Sequence, residues 1–594
     1  MELVFRRAFA GCRNHWSTSR ARILRKLTGS VKNSNSKNYR TYNTDGRRTG
    51  DMPSKVFKST IGKTAVVLSL GATGATGAYL VDDIGDLITH SSMAAERSAR
   101  IVTAAFKCFA DYRSILGKQY DSDEERNQAI SQCHKRCALI TLKVLEANAG
   151  IYIKFGQHIS ALTYLLPPEW TTTFIPLQDR CPVSSIESIR QMFKNDTATE
   201  LEDVFSEFNP VPLGTASLAQ VHKAVLRDSG EEVAVKLQHP SLAQFIPLDL
   251  KLTKWVFNAI DKFFPEYPMT WLYDELNSSI YVELDFTEEA KNATRTQKYF
   301  KNLKKKTALR IPNVVWAKPR ILVMEYIGGY RPDDIASLDK DHISRNEVSI
   351  CLSHIFNTMI FTPGVLIHCD PHSGNLAVRP LPKGEQGPWY NRGHNFEIVL
   401  YDHGLYRDAS LELRRSYAKF WLAIIDNDEP NMRKYAKEFA GISDAQFPLF
   451  ASAITGREFS NVKNSGLNQP RTRAEVERIM ASLRDGLMPS LIKLLANVPR
   501  VVLLILKTND LTRALDENLH TTIGPERTFL IMANYCAKTV YDEDKENLRR
   551  YFILSPARLI GESIAYSRYV KRVLQMELYD ITLWFRNMFK IGGH

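Results

Sequence analysis

Two short polar segments in the middle of the chain constrain its fold more than any other feature. The first, at 368–375, reads HCDPHSGN, and the second, at 402–404, reads DHG. They place the side-chain oxygens of Asp370, Asn375 and Asp402 in loops beside apolar, strand-like stretches. Hard oxygen donors from so few residues suit Mg²⁺ when phosphate oxygens complete its coordination. The two segments therefore predict one site assembled from two loops.

The first segment fits H-x-D-x-x-x-x-N, the catalytic-loop pattern of kinases, and the second resembles their D-F-G. In that scheme Asp370 accepts a proton or orients a nucleophile, while Asn375 and Asp402 bind Mg²⁺. A metallohydrolase cluster of His368, Asp370, His372 and Asp402 is the alternative. That alternative leaves the order of the upstream motifs unexplained.

Two upstream motifs occur in the order of a kinase small lobe. Residues 214–221 follow G-x-G-x-x-G-x-V with alanine at two glycine positions, and residues 233–236 match V-A-I-K. In the second motif Lys236 would reach the phosphates. Alone, the first pattern would equally fit a β-hairpin, and Lys236 would be a solvated strand-end lysine. The residues predicted to cover the nucleotide are Gly214, Thr215, Ala216, Ser217, Leu218, Ala219, Gln220 and Val221.

A helix and a strand complete the predicted small lobe. Residues 281–292 are predicted to form one helical stretch whose acidic side chains include a partner for Lys236. Those side chains would otherwise form a solvated face. The strand-like segment 321–329 would be the hinge between two lobes. There the backbone of Glu325 to Ile327 would bind adenine, with Met324 behind it.

The joint occurrence of these motifs resembles the UbiB/aarF-domain (ADCK) family of atypical kinases, in its mitochondrial branch linked to coenzyme Q and lipid homeostasis. The resemblance extends from about residue 95 to at least residue 454. Two more signatures carry it: K-x-G-Q at 154–157 and E-x-D at 283–285. It implies an α+β, two-lobed protein-kinase-like fold with a helical N-terminal extension over the active site.

The resemblance also assigns roles to particular residues. Lys154, Gly156 and Gln157 would be regulatory residues, entering the region where a protein substrate would otherwise lie. Glu283 and Asp285 would interact with this extension. Glu289, six residues beyond Glu283, would be the ion-pair partner of Lys236.

The family resemblance implies binding of ATP or ADP with Mg²⁺, ATPase activity and little protein-kinase activity. The implied partners are membrane lipids or a coenzyme Q-like lipid. The loop starts with Gly214-Thr215 where many members carry alanines, so the family's nucleotide selectivity is not carried over. The residues argue independently against protein-kinase activity, because a helical pattern resumes by Leu411 and no A-P-E motif follows. A protein kinase uses that segment to dock a peptide.

The charge distribution separates the N-terminus from the rest of the chain. The net charge is +13, of which residues 1–58 carry +11, so the remaining body is nearly neutral and does not resemble a nucleic-acid-binding protein. Residues 1–58 are basic, amphipathic and poor in acids, as in a mitochondrial presequence. A disordered basic arm is the alternative.

Residues 64–81 contain no charged side chain, and as a helix they would span about 27 Å, close to a bilayer core. We expect one transmembrane helix in the inner mitochondrial membrane, or else a buried helix of the soluble body. The flanking charges would place the main domain in the intermembrane space.

The predicted organisation follows from these segments. Its boundaries are 1–58 presequence, 64–81 transmembrane helix, 95–204 helical extension, 205–329 small lobe, 330–540 large lobe and 541–594 C-terminal helical segment. The last segment would pack on the large lobe or lie on a membrane surface. Besides a kinase or ATPase, the chain could be a pseudokinase scaffold, a membrane-contact factor or a lipid-binding carrier.

Cys133 and Cys137 lie four residues apart on a predicted helix. Such a pair fits a disulfide or half of a metal site, but no second pair completes it. The sequence therefore favours ordinary core or surface thiols.

Overall fold

The computed structural model describes residues 80–590 of the 594-residue chain. Within that span the undescribed stretches are 162–165, 179–180, 182, 241, 266–268, 383–392, 456–493, 496, 522–524 and 554. The predicted presequence and residues 64–79 of the predicted transmembrane helix lie outside the described residues. Among the described helices, none is long and apolar enough to cross a bilayer.

Helices form the described chain before its first strand. They are α1 (Leu80–Leu116), α2 (Asp123–Asn148), α3 (Ile151–Ala161), α4 (Pro168–Thr173), α5 (Ile186–Thr197) and α6 (Leu201–Val204). The buried side chains of Ile151 and Phe155 on α3 belong to the same apolar core as Phe420 and Phe450 of the C-terminal half. The extension therefore shares its core with the large lobe.

An antiparallel six-stranded sheet forms the small lobe, in the order β1-β3-β4-β7-β6 with β2 paired to β3. The strands are β1 (Phe205–Phe208), β2 (Gly214–Thr215), β3 (Ala219–Leu226), β4 (Glu232–Gln238), β6 (Val314–Lys318) and β7 (Ile321–Glu325). Side chains alternate between the two faces of a strand. Val233, Val235 and Leu237 of β4 consequently pack with α5 on one face, and Lys236 points to the other.

Four helices connect β4 to the rest of the small lobe. They are α7 (Leu242–Phe263), α8 (Thr270–Glu283), α9 (Phe286–Phe300) and α10 (Lys304–Thr307). The prediction of one continuous helical stretch over 281–292 is wrong. The Asp285 side chain accepts hydrogen bonds from the Thr287 amide at 2.9 Å and hydroxyl at 2.7 Å. This N-cap starts a new helix and turns the chain between α8 and α9.

The large lobe combines helices with two small sheets. Its strands are β5 (Leu309–Arg310), β8 (Ile367–His368), β9 (Leu376–Pro380), β10 (Phe396–Leu400) and β11 (Tyr406–Arg407). Its helices are α11 (Ile335–Lys340), α12 (Arg345–Phe361), α13 (Leu411–Asp426), α14 (Glu429–Ala440), α15 (Phe447–Thr455), α16 (Arg500–Asn518), α17 (Pro525–Leu548) and α18 (Pro556–Lys590). The order of the first sheet is β5-β10-β9, and β11 pairs with β8. This pairing brings the two polar segments of the sequence together.

Candidate active site

A lysine shared by two carboxylates lies between the lobes. Lys236 Nζ lies 2.6 and 2.9 Å from the two carboxylate oxygens of Glu289 and 2.8 Å from Asp402 Oδ1. All three side chains are largely shielded from solvent, with exposed fractions of 16%, 3% and 27%. Burial disfavours the charged lysine, but Asp402 and Glu289 outweigh it and raise its pKa. Lys236 is therefore a fixed positive charge.

The elements that hold this group follow from local sequence. On α9, Phe286, Glu289, Ala290 and Ala293 recur at helical spacing and are all buried. This face packs against the side of the sheet that carries Lys236. Glu289 therefore contacts the lysine where apolar side chains of α9 and the sheet surround the pair. Burial raises the pKa of Glu289, and Lys236 partly offsets this effect.

His368 joins the two polar loops. Its Nε2 lies 3.0 Å from the backbone oxygen of Asp402, and its Nδ1 accepts the Asp370 amide at 3.1 Å. Because Nδ1 accepts the Asp370 amide, the ring proton is on Nε2, and burial lowers the pKa of His368. Because Nδ1 is an acceptor and Nε2 a donor, His368 has no lone pair for a metal. The alternative metallohydrolase cluster therefore does not fit.

Asn375 and Asp402 present the donor set for a hard cation. Asn375 Nδ2 donates to the Asp370 backbone oxygen at 3.1 Å and lies 3.4 Å from Asp402 Oδ2. The amide nitrogen is thus engaged, which leaves the amide oxygen as the atom that can bind a cation. Burial opposes ionisation of Asp402, but Lys236 outweighs it and lowers the pKa of the carboxyl. Asp402 and Asn375 thus offer a carboxylate and an amide oxygen, and hard oxygen donors of these two kinds suit Mg²⁺.

Asp370 is covered by cations from two distant helices. Lys507 Nζ on α16 lies 2.9 Å from Asp370 Oδ1, and Lys154 Nζ on α3 lies 3.8 Å from Asp370 Oδ2. Burial opposes ionisation, but Lys507, with His372 and Lys154, holds the pKa of Asp370 well below its usual range. Asp370 is therefore a weak base that can orient a group rather than remove its proton.

The extension reaches this site through Lys154. Its Nζ lies 2.8 Å from Glu283 Oε2, and both side chains are 12% exposed. Gly156 allows the close packing that brings α3 here, because a Cβ at this position would lie 2.1 Å from Leu177 Cδ1. Gln157 donates to the Leu177 backbone oxygen at 3.0 Å and thus braces the extension internally. Asp285 is the N-cap of α9.

The loop predicted to cover the nucleotide is a β-hairpin whose backbone is held by hydrogen bonds to His239. Ser217, Leu218, Ala219 and Gln220 are buried. His239 contributes two of the bonds that hold the loop: its Nε2 lies 3.0 Å from the Ala216 backbone oxygen, and its amide donates to the Leu218 backbone oxygen at 3.0 Å. Leu218 also belongs to the core shared with the extension.

Two side-chain hydrogen bonds involve the predicted hinge. The Tyr401 hydroxyl, next to Asp402, donates to the Ile327 backbone oxygen at 2.8 Å. The side chain of Glu325 accepts from Arg310 at 2.5 Å and is turned to β5. Met324 is buried with Ala219 and Phe286 under the sheet.

The family is decided by comparison with known proteins. The model of the ABC1 atypical kinase-like domain matches residues 176–436. The ABC1 family protein MCP2 of Saccharomyces cerevisiae is 52% identical over 533 residues, covering 88% of this chain and 93% of the yeast protein. This chain belongs to the ABC1 atypical kinase-like family.

Other relatives support the same membership. The MCP2 homolog of Schizosaccharomyces pombe is 49% identical, covering 82% of this chain and 86% of that protein. The AarF domain-containing protein kinase 1 of Gallus gallus is 34% identical, covering 88% of this chain and 96% of that protein. The ABC1 resemblance inferred from the motifs is confirmed, as is a kinase-like fold of helices and sheets.

Two residues of the ABC1 site were not found by sequence reasoning. Lys507 directly follows the apolar run at 501–506, and a charged side chain at the end of such a run is the signal that could have revealed it. His158 follows Lys154 by one helical turn, and its buried Nε2 has no hydrogen-bond partner among the described residues. Burial, Lys507 and Lys154 keep its pKa well below the ordinary value, so this imidazole is neutral.

Proposed function

We propose that this ABC1 chain binds ATP or ADP with Mg²⁺ and acts as an atypical kinase or ATPase that transfers phosphoryl to water or to a small or lipid acceptor. The observation that carries the proposal is Lys236, held between Glu289 and Asp402 beside Asn375. Phosphoryl transfer requires mainly positioning and neutralisation of charge. These residues have the chemistry for both.

Each residue has a defined task in this proposal. Lys236 would contact the α- and β-phosphates, and Glu289 would keep the lysine in place. Asp402 and Asn375 would hold Mg²⁺, which would supply charge neutralisation on the phosphate oxygens. Asp370 would orient water or an acceptor hydroxyl through its carboxylate, since its low pKa makes it a poor proton acceptor.

The surroundings of Asp370 argue against a protein acceptor. Lys507 bonds one carboxylate oxygen at 2.9 Å, the Lys154 ammonium lies 3.8 Å from the other, and the Asp370 side chain is only 15% exposed. The chain then passes from β11 at 406–407 directly to α13, which begins at Leu411 behind the N-cap Ser410. There is little chain between Asp402 and α13 to dock a peptide.

A second candidate is a pseudokinase scaffold whose nucleotide pocket only stabilises the fold. The same cover over Asp370 favours it, because two ammonium groups already satisfy the carboxylate. The two candidates share the binding step and differ in turnover.

The proposed setting is the inner mitochondrial membrane, with the main domain in the intermembrane space and with a role in coenzyme Q or phospholipid homeostasis. Family resemblance supports the lipid role, and the +11 charge of residues 1–58 supports import. A membrane-contact factor and a lipid-binding carrier remain the non-enzymatic alternatives in this setting.

Phosphate release from ATP separates enzyme from scaffold. We expect the purified full chain to release phosphate with Mg²⁺ in the presence of vesicles containing a coenzyme Q-like lipid. Asp370→Asn should lower the rate by about tenfold to a hundredfold, because the nucleophile loses its orientation. Asp444→Asn, on an exposed loop, is the matched control and should retain the wild-type rate. Nucleotide binding without phosphate release in the wild type would favour the scaffold instead.

A further inference from the structure

A cluster of thiols and one carboxylate lies in the extension, away from the ABC1 site. Cys133 and Cys137 project from α2, one helical turn apart, and Cys108 and Asp111 project from the facing helix α1. We call these four residues the hairpin thiol cluster. The three cysteines are 8%, 0% and 0% exposed in chain order, and none is disulfide-bonded.

Three of the four possible ligand atoms, all except the Cys108 sulfur, already lie close to one another. One oxygen of Asp111 and the sulfurs of Cys133 and Cys137 all lie within 4.8 Å of one another. Cys137 Sγ is 3.9 Å from Asp111 Oδ2, and Cys108 Sγ is 3.8 Å from the Cys137 backbone oxygen. Two sulfurs on one tetrahedral Zn²⁺ are about 3.8 Å apart, given Zn–S bonds of about 2.3 Å. Small side-chain rotations would therefore bring the sulfurs and the carboxylate oxygen to the spacing of ligands around one Zn²⁺.

We propose that the hairpin thiol cluster binds one thiophilic divalent cation, of which Zn²⁺ is the type. Cys133 and Cys137 use the i, i+4 spacing with which helical zinc sites present two ligands on one face. Asp111 supplies the third donor and Cys108 the fourth. Each thiol that binds the cation releases its proton to solvent.

The residues around the cluster fit a metal site better than a plain apolar contact. Arg136, on the same helix as the two thiols, holds both oxygens of Asp111, at 3.0 and 2.9 Å. It thereby orients the carboxylate toward the sulfurs and offsets part of the negative charge that the ligands bring. Ile115, Ile140 and Trp170 close the apolar side. The Asp111–Arg136 pair is partly exposed, at 25% and 48%, and it brings one carboxylate oxygen to within 3.9 Å of the buried Cys137 sulfur.

A disulfide within α2 does not fit the geometry. Side chains four residues apart on a helix have Cβ atoms about 5–6 Å apart, whereas a disulfide needs about 3.5–4.5 Å. A disulfide between Cys108 and Cys137, which would link the two helices, is the competing chemistry. It would leave Cys133 and Asp111 without a function.

The cation would fix the position of α1 against α2. Helix α2 leads directly through residues 149–150 into α3, which carries Lys154 to the active site. A tetrahedral link between the first two helices would therefore stabilise the base of the extension. The effect would be on the stability of the extension, not on the phosphoryl-transfer chemistry.

Metal content of the full chain, purified anaerobically without chelators, tests the proposal. We expect about one zinc per chain in the wild type and about tenfold less in Cys137→Ser. The matched control is Cys536→Ser, since Cys536 is also buried and unbridged but lies in another core. Replacing zinc with Co²⁺ should give sulfur-to-cobalt charge-transfer absorption that Cys137→Ser lacks.

A variant at a half-exposed position distinguishes loss of metal binding from misfolding. Arg136 is half exposed, and Arg136→Gln should keep the fold while weakening Zn²⁺ affinity by about tenfold to a hundredfold. Wild-type protein without zinc that also fails to bind added Zn²⁺ would overturn the proposal. So would zinc retained equally by Cys137→Ser, or a Cys108–Cys137 disulfide found by mass spectrometry in the protein as purified.

Discussion

Asp402→Asn weakens the affinity for Mg·ATP by about tenfold to a hundredfold and leaves the chain folded. The carboxylate is the charged donor of the proposed cation site, and a charge-assisted interaction contributes about 1.5–3 kcal/mol. The fold survives because Lys236 keeps its bonds to both oxygens of Glu289. Asparagine can still accept a hydrogen bond from the lysine.

Isothermal calorimetry on the wild type and the variant measures this effect, with the thermal midpoint as the check on folding. Asp444→Asn is the control, because Asp444 is 86% exposed and precedes α15 of the large lobe. An unchanged affinity in Asp402→Asn, with a normal thermal midpoint, would remove Asp402 from the cation site.

Arg414→Met destabilises the large lobe by about 3–5 kcal/mol, because it leaves four buried backbone oxygens without their shared donor, and each unsatisfied buried group costs about 1–3 kcal/mol. The guanidinium is 1% exposed and donates to the backbone oxygens of four residues, at distances from 2.6 to 3.0 Å. These acceptors are Met359, Ile360, Val365 and Ala409. Methionine fills much of the volume but leaves the carbonyl groups unsatisfied. The arginine thus joins the end of α12 to the start of α13, on either side of the catalytic loop.

Thermal and urea unfolding of the full chain tests this expectation, with Arg415→Met as the matched control. Arg415 is the next residue on α13; its side chain is 18% exposed and pairs with Glu546, which is 54% exposed. A single ion pair open to solvent on one side contributes about 0–1 kcal/mol, so the control should lose much less stability than Arg414→Met. Equal unfolding midpoints for the two variants would show that the Arg414 bonds contribute little.

The sequence anticipates those parts of the site that depend on local motifs. Lys236 and Asp402 each lie in a short pattern with a fixed place in a kinase-like fold, and helical periodicity predicts the start of α13 at Leu411. The choice of Glu289 among four acidic side chains came from the family resemblance, because the residues alone left the partner of Lys236 open. The structure brings Glu289 and Asp402 within 3 Å of Lys236 Nζ, and the contact with Asp402 was not predicted.

The rest depends on contacts between segments that are far apart in the chain. Lys507 covers Asp370 from a helix 137 residues away, so no local pattern connects them. The break at Asp285 was missed because the acidic residues on either side continue a helical pattern across it. The sequence favoured ordinary thiols at Cys133 and Cys137, because Asp111, which lies beside them in the structure, is on the preceding helix. Tertiary packing decided all three.

The most direct test of the proposed Mg-nucleotide site is the dissociation constant of ATP for the wild-type full chain, measured with Mg²⁺ and again with EDTA. Asp402 and Asn375 would reach the phosphates only through the cation, and a bare carboxylate repels them. We expect binding about tenfold or more tighter with Mg²⁺, and this difference should shrink in Asp402→Asn. Equal dissociation constants with Mg²⁺ and EDTA, or no binding in either, would contradict the proposed site.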